Sequence, residues 1–273
     1  MEFVMRIGNR VFDTVNRTYC MGILNITPDS FSDGGKYKEL DVALKRTEQM
    51  IEEGASIIDI GGESTRPGYT MLSESEEMER IAPVIEAVKA RFDIPVSLDT
   101  YKSKVALAGI KAGADMINDI WGLKYDADMA NVIAEHDVAC CLMHNRKEAV
   151  YKDFLQDMAG DMTETIQIAA RAGIAGHNII LDPGIGFAKT YEQNLLMINH
   201  IDSLHMFGYP ILLGTSRKSV IGLTLDLPVE ERLEGTLATT TMAVLKGCTF
   251  VRVHDVKENM RIIRMTEAIR NSQ

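Results

Sequence analysis

Short, nearly continuous apolar runs alternate along the chain with longer amphipathic stretches, at intervals of roughly 30 residues. The runs are Met21 to Ile26, Ser56 to Gly61, Pro95 to Asp99, Asp115 to Ile120, Val138 to Met143, Asn178 to Asp182, Pro210 to Gly214 and Thr249 to His254. Apolar residues at consecutive positions suit strands buried on both faces. Between them the spacing predicts helices over Asp41 to Glu53, Ser75 to Arg91, Lys102 to Ala112, Ala127 to His136, Phe154 to Ala172, Tyr191 to Met206, Val229 to Lys246 and Lys257 to Arg270. Gly54 and Gly113 stand where a left-handed residue would end the first and third helices, and Ser73 or Ser75 is placed to cap the second, ahead of Glu76 to Glu79. Ahead of these units, Phe3 to Ile7 and Arg10 to Phe12 alternate around Gly8-Asn9, which predicts a β-hairpin plugging one end of the main body. Eight strand–helix units close most simply as an α/β fold of the (β/α)8 TIM-barrel type with an N-terminal hairpin. An open doubly wound sheet is the other arrangement that the alternation allows.

Composition narrows this picture. A length of 273 residues without a linker or low-complexity break is the size of one such barrel, so a single domain over residues 1–273 is expected. The formal net charge of −10 and the lack of a long basic run argue against nucleic acid and anionic membranes as partners. The start, Met1-Glu2-Phe3-Val4-Met5-Arg6, does not read as a secretory signal, and no apolar run is long enough to span a bilayer. A cytoplasmic location is expected. Cys20, Cys140, Cys141 and Cys248 lie inside apolar runs at spacings that match no zinc or redox motif, and read as buried, reduced thiols.

In a parallel barrel the chemistry sits where strands end and helices have yet to begin. Here those points read Asn25, Glu63 with Thr65-Arg66-Pro67-Gly68, Asp99, Asn118-Asp119, Met143-His144, Asp182-Pro183-Gly184, Ser216-Arg217-Lys218-Ser219 and Arg252 with His254. Asp99, Asn118 and Asp182 close apolar strands, where burial penalises an unpaired carboxylate. They call for donors from a ligand, such as the edge of an aminopyrimidinone; a helix cap or an ion pair with a neighbouring Arg is the structural alternative. Arg66, Arg217, Lys218, Arg252 and His254 concentrate positive charge at the same end of an acidic chain, which suits an anion. A Schiff-base role for Lys218 is the weaker reading, since no dry apolar pocket is evident around it. Asn25 offers an uncharged oxygen of the kind that suits a magnesium ion held mainly by substrate phosphates and water, and equally suits the turn at Thr27-Pro28-Asp29.

Eight stretches then carry a resemblance: Asn25 through Gly35 (Asn-Ile-Thr-Pro-Asp-Ser-Phe-Ser-Asp-Gly-Gly), Asp59 through Gly68, Ser97-Leu98-Asp99-Thr100, Ile117-Asn118-Asp119-Ile120, Leu142-Met143-His144, Leu181 through Phe187, Gly214 through Ser219, and Arg252-Val253-His254-Asp255. In this order, over nearly the whole chain, they resemble the dihydropteroate synthases of folate biosynthesis. The resemblance implies joining of 7,8-dihydropterin-6-ylmethyl diphosphate to 4-aminobenzoate, with magnesium-assisted loss of pyrophosphate followed by arylamine attack. It implies that Asp99, Asn118, Met143, Asp182, Lys218 and Arg252 bind the pterin. Asn25, Arg252 and His254 would bind the diphosphate, with Asn25 also on Mg2+. Phe31, Thr65, Pro67, Phe187, Lys218 and Ser219 would form the aminobenzoate slot, and Asp33, Arg66 and Lys218 would be catalytic. The resemblance also implies a homodimer formed through barrel helices and a site of the kind that sulfonamides target in this family. Val220, where an aromatic is expected, and Leu237, where a smaller residue is common, depart from the pattern. The competing readings are a barrel that passes a methyl group from methyltetrahydrofolate to a corrinoid protein, and a catalytically silent pterin binder.

Overall fold

The computed structural model describes residues 4–26, 35–63 and 71–272. The hairpin is β1 (Val4–Ile7) and β2 (Arg10–Asp13), antiparallel across the Gly8-Asn9 turn. The eight apolar runs become β3 (Tyr19–Asn25), β4 (Ile57–Gly61), β5 (Val96–Asp99), β6 (Met116–Asp119), β7 (Ala139–Met143), β8 (Ile179–Asp182), β9 (Leu212–Leu213) and β10 (Phe250–Val253). All pair in parallel, in the order β8-β7-β6-β5-β4-β3-β10-β9. A parallel bridge from Leu181 to Ile211 joins the ends of that order, so the sheet curls into a barrel and the open-sheet alternative falls away.

The helices are α1 (Gly35–Glu53), α2 (Glu74–Arg91), α3 (Ser103–Ala112), α4 (Met129–His136), α5 (Phe154–Ala172), α6 (Tyr191–Asn199), α7 (Ser219–Leu225), α8 (Leu233–Leu245) and α9 (Val256–Arg270). Ser73 caps α2 in a reciprocal capping box with Glu76, and Gly54 and Gly113 adopt the left-handed φ values, +105° and +112°, expected after α1 and α3.

Two predicted helices are divided. The stretch Tyr191 to Met206 is α-helical only to Asn199; a 3-10 segment, Ile201–Phe207, follows. Its tighter winding brings residues three apart onto one side, which lets Ile201 and Leu204 both bury before Gly208 ends the turn. The stretch Val229 to Lys246 breaks at Arg232, whose guanidinium leaves the helix line to bond the carbonyls of Leu227 (3.0 Å) and Arg217 (3.1 Å). Helix α7 was not among the predicted helices, because seven residues hold about two turns and show no clear period.

The barrel is filled in layers. Met21, Ile57, Met116, Ala139, Cys141, Ile180, Leu212 and Phe250 form a buried cluster at the N-terminal end, completed by Met5, Ile7 and Phe12 of the hairpin. The hairpin therefore is a plug. A strand returns to the same face every second residue, so the next inward positions after this layer include Asp59, Asn118, Met143, Asp182, Gly214 and Arg252. On β5 Val96 packs in the outer core, so Ser97 and Asp99 take the inward places. Above them, Tyr101, Ile120 and Met143 with Trp121 and Phe187 form an apolar cluster at the C-terminal mouth.

Candidate active site

The polar layer is organised by Arg252. Its Nε donates to Asp59 Oδ2 at 2.5 Å and its Nη2 to Asp99 Oδ2 at 2.6 Å, and Asn118 Nδ2 donates to the same Asp59 oxygen at 3.3 Å. Asp59 is wholly buried. Burial works against the Arg252 charge, but the two carboxylates outweigh it and raise its pKa further, so it stays a cation. Burial pushes Asp99 upward against the pull of the same guanidinium, with Asp59 adding to the rise. Asp59 Oδ1, Asp99 Oδ1 and Ser97 Oγ are buried side-chain atoms without a hydrogen-bond partner among the described residues. A buried acceptor left open costs about 1–3 kcal/mol, so these atoms mark a place where a ligand or water donor completes the site.

Asp182 ends β8. Its Oδ1 accepts from Gly184 N at 2.7 Å, and burial raises its pKa while Lys218 opposes the rise. Gly184 must be glycine: its φ is +69° and a Cβ would come within 2.1 Å of the His144 carbonyl oxygen. Burial lowers Lys218 to about 8, with Asp182 acting the other way. Its Nζ donates to the Ile185 carbonyl and stands 4.6 Å from the centre of the Phe187 ring. His254 Nδ1 lies 2.9 Å from Ser216 Oγ, which joins β10 to the segment after β9. Asn25 ends β3 beside Gly61; a Cβ on that glycine would sit 3.8 Å from both Asn25 Oδ1 and Asp99 Oδ2, so these side chains share one side of the mouth.

Several residues of the expected ring have structural duties instead. Arg217 makes a two-pronged ion pair with Asp255, at 2.9 and 2.6 Å, so its charge is spent between two loops rather than offered to a ligand. Glu63 is buried, accepting from Tyr101 (2.7 Å), Leu72 N (2.7 Å) and Lys102 (2.8 Å), and Lys102 also pairs with Glu77 at 2.7 Å. Asp119 holds the turn after β6 through the amides of Trp121 and Leu123. Ser219 is exposed in the first turn of α7, next to Lys218, and Val220 is buried in the outer core. Phe31, Asp33, Thr65, Arg66 and Pro67 lie outside the described residues.

Sequence reasoning passed over Asp59, Tyr101, Trp121 and Lys189. For Asp59 the signal was present: an acid inside Ile57-Ile58-Asp59-Ile60 must be paired or ligated if the strand is buried. Lys189 follows β8 by several residues and gives no such sign. Its Nζ meets His144 Nδ1 at 2.9 Å, while His144 Nε2 meets Asp161 at 2.9 Å and Arg146 Nε meets the same carboxylate at 2.5 Å.

Among the described residues no three His, Cys, Asp or Glu side chains cluster as a metal site. Asn25, at the end of β3, offers one uncharged oxygen, a donor that suits a magnesium ion held mainly by phosphates and water.

A parallel barrel with buried acceptors and a cation below an aromatic-lined mouth suits a flat, donor-rich heterocycle, and the chain belongs to the pterin binding enzymes, whose family matches residues 21–254. The dihydropteroate synthase of Clostridium beijerinckii is 60% identical over 266 residues, covering 97% of this chain and 99% of the relative. Dihydropteroate synthase from Clostridium difficile, solved in the presence of pteroic acid, superposes with a TM-score of 0.93 at 48% identity, covering 96% of this chain and all of that one. Xanthomonas albilineans dihydropteroate synthase with 4-aminobenzoic acid gives 0.94 at 36% identity, covering both chains fully. Within the pterin-binding enzymes this chain is one of the dihydropteroate synthases; the corrinoid methyltransferase reading finds no support in these relatives.

The His144 network carries a pH signature. Burial is the main cause that lowers the His144 pKa from 6.5 to about 4, with Asp161 opposing it. The folded protein thus binds this proton less readily than the unfolded chain, so the contribution of His144 is complete above pH 6.5 and is lost as pH falls toward about 4. Urea midpoints measured across that window should fall in the wild type and fall less in His144→Gln; parallel curves for the two proteins would contradict the assignment.

Proposed function

We propose that the dihydropteroate synthase reaction runs at this mouth with the pterin deep and the aminobenzoate above it. Asp182, Asn118 and Asp99 receive the amino and ring N–H groups of the pterin, and Lys218 reaches its oxo group. Met143 and the Arg252 guanidinium cover the two faces of the ring. The observation that supports this most strongly is the buried Asp99 Oδ1 without a partner among the described residues. An N–H of the pterin donated to that oxygen is the exchange that offsets such burial.

The diphosphate then projects toward Asn25, Arg252 and His254, and 4-aminobenzoate lies against Phe187, Lys218 and Ser219. Phe31, Thr65 and Pro67 complete that slot, and Asp33 and Arg66 close over the reacting groups. An apolar slot ending in a cation and a hydroxyl suits an aromatic carboxylate. The bond from the pterin methylene carbon to the diphosphate oxygen breaks with its electron pair leaving on pyrophosphate. The electron-rich dihydropterin bears the resulting charge, the neutral arylamine nitrogen forms the new bond to carbon, and its proton is released. Arg252, Lys218 and His254 supply fixed positive charge and donors where negative charge develops. Asn25 would hold a magnesium ion, which when bound neutralises diphosphate charge.

In this reading the enzyme works as a homodimer, for which the exposed Leu195 and Leu196 of α6 and Leu223 and Leu225 of α7 offer apolar surface. Free, buried thiols at all four cysteines fit a reducing compartment, the cytoplasm. Among the described residues no helix is long and apolar enough to cross a membrane.

Pyrophosphate release should require magnesium, the pterin diphosphate and 4-aminobenzoate together, each being omitted in turn; pterin binding without release would contradict the reading. Asp182→Ala should abolish pterin binding, while Ser219→Ala should mainly raise KM for 4-aminobenzoate, and equal effects of both changes on both substrates would sink the assignment. Sedimentation should return a dimer; a monomer would overturn the partner.

A further inference from the structure

The loop after β8 is clipped from beneath by Lys189. Its Nζ lies 3.0 Å from the Gly184 carbonyl oxygen, 3.1 Å from that of Phe187 and 2.9 Å from His144 Nδ1. An ammonium has three N–H groups to give and no lone pair, so three acceptors match it fully. Gly184 and Phe187 are the two ends of one turn, closed by Phe187 N donating to the Gly184 carbonyl at 3.1 Å. That turn has a ligand-facing side: Gly184 N–H holds Asp182, and the Phe187 ring lies beside the Lys218 ammonium.

The third acceptor is itself fixed. His144 takes a Lys189 proton only on a bare Nδ1, which leaves its Nε2–H for Asp161, and Arg146 holds that carboxylate from the other side. The charged and titratable groups around Lys189 are therefore His144 and Arg146 after β7, Asp161 on α5, Asp182 on β8 and Lys218 ahead of α7. Next to it, the Tyr151 hydroxyl donates to the Ala188 carbonyl at 2.8 Å.

We propose that Lys189 is a positioning residue for the second substrate: by holding the Gly184 and Phe187 carbonyls together it sets the Phe187 ring as the wall of the aminobenzoate slot. This rests on the reading of Phe187 as that wall. A neutral amine gives only two N–H bonds, so one of the three acceptors loses its donor and the set that holds the turn is weakened when the proton leaves. Burial holds Lys189 down to about 7, with Asp182 acting the other way. The clip is complete below that pH and loosens as pH rises through it.

The test is KM for 4-aminobenzoate at saturating pterin diphosphate, with pterin affinity measured separately, from about pH 6 to about pH 9. Lys189→Met should raise that KM about tenfold or more at the acid end and leave pterin affinity within about twofold. The wild type should show KM rising from the acid to the alkaline end, and in the variant that rise should shrink to the part due to Lys218, which burial holds down to about 8. Phe187→Ala should also raise KM, and the double variant should be little worse than either single one. An unchanged KM in Lys189→Met, additive effects in the double variant, or an equal loss of pterin affinity would overturn the clip while leaving the slot intact. No effect of Phe187→Ala would overturn the slot and the clip together. Should Lys189→Met fail to fold, Lys189→Gln, whose shorter side chain carries only two N–H groups, is read in the same way, and an unchanged KM in it overturns the proposal.

Discussion

A guanidinium buried in the middle of a barrel must be paired, and the pairing of Arg252 with Asp59 and Asp99 is the constraint on which the upper half of the molecule depends. Three strands, β4, β5 and β10, each contribute one member. Such an arrangement adds little net stability compared with an apolar core of equal volume, since desolvation of the charges cancels much of their attraction. What it supplies is position. Asp59 takes the Nε side, Asn118 leans on the same oxygen, and Asp99 is left with one oxygen engaged and one open.

The hairpin makes that investment tolerable. With Met5, Ile7 and Phe12 closing the lower end, the Arg252 layer is reached from the C-terminal mouth, where Tyr101, Ile120, Met143, Trp121 and Phe187 limit contact with water. Electrostatic attraction in such an enclosed place is stronger than in solvent, which is what discrimination among flat anionic substrates requires. The sequence of layers from apolar plug to charged hub to aromatic rim follows from a two-residue period along each strand.

That period explains what was legible before any coordinates. The eight runs, the hairpin, the helix-ending glycines and the strand-end residues Asp99, Asn118, Met143, Asp182 and Arg252 all follow from local pattern, because a doubly buried strand leaves polar residues only at its exit. Asp59 belongs to the same inward layer but sits inside its apolar run rather than at the end of it, so it does not stand out as a strand-end residue. Arg217 looked like a ligand cation because charge alone does not reveal that Asp255 lies within 2.6 Å. The divided helices at His200 and Arg232 depend on long-range bonds and packing that propensity does not contain, and the Lys189 network joins elements far apart in the chain through side-chain geometry alone.

The most direct measurement of the central claim is the affinity of Asp59→Asn for the pterin diphosphate, taken by calorimetry on protein whose fold is verified by circular dichroism. Asp59 acts by orienting Arg252 and Asn118, both of which it holds through Oδ2. Affinity should fall about tenfold or more while the fold survives, as expected for the loss of a charge-assisted bond inside a binding site. An affinity equal to that of the wild type would mean that Arg252 and Asn118 hold their places without Asp59, and the account of the site as built on that ion pair would be wrong.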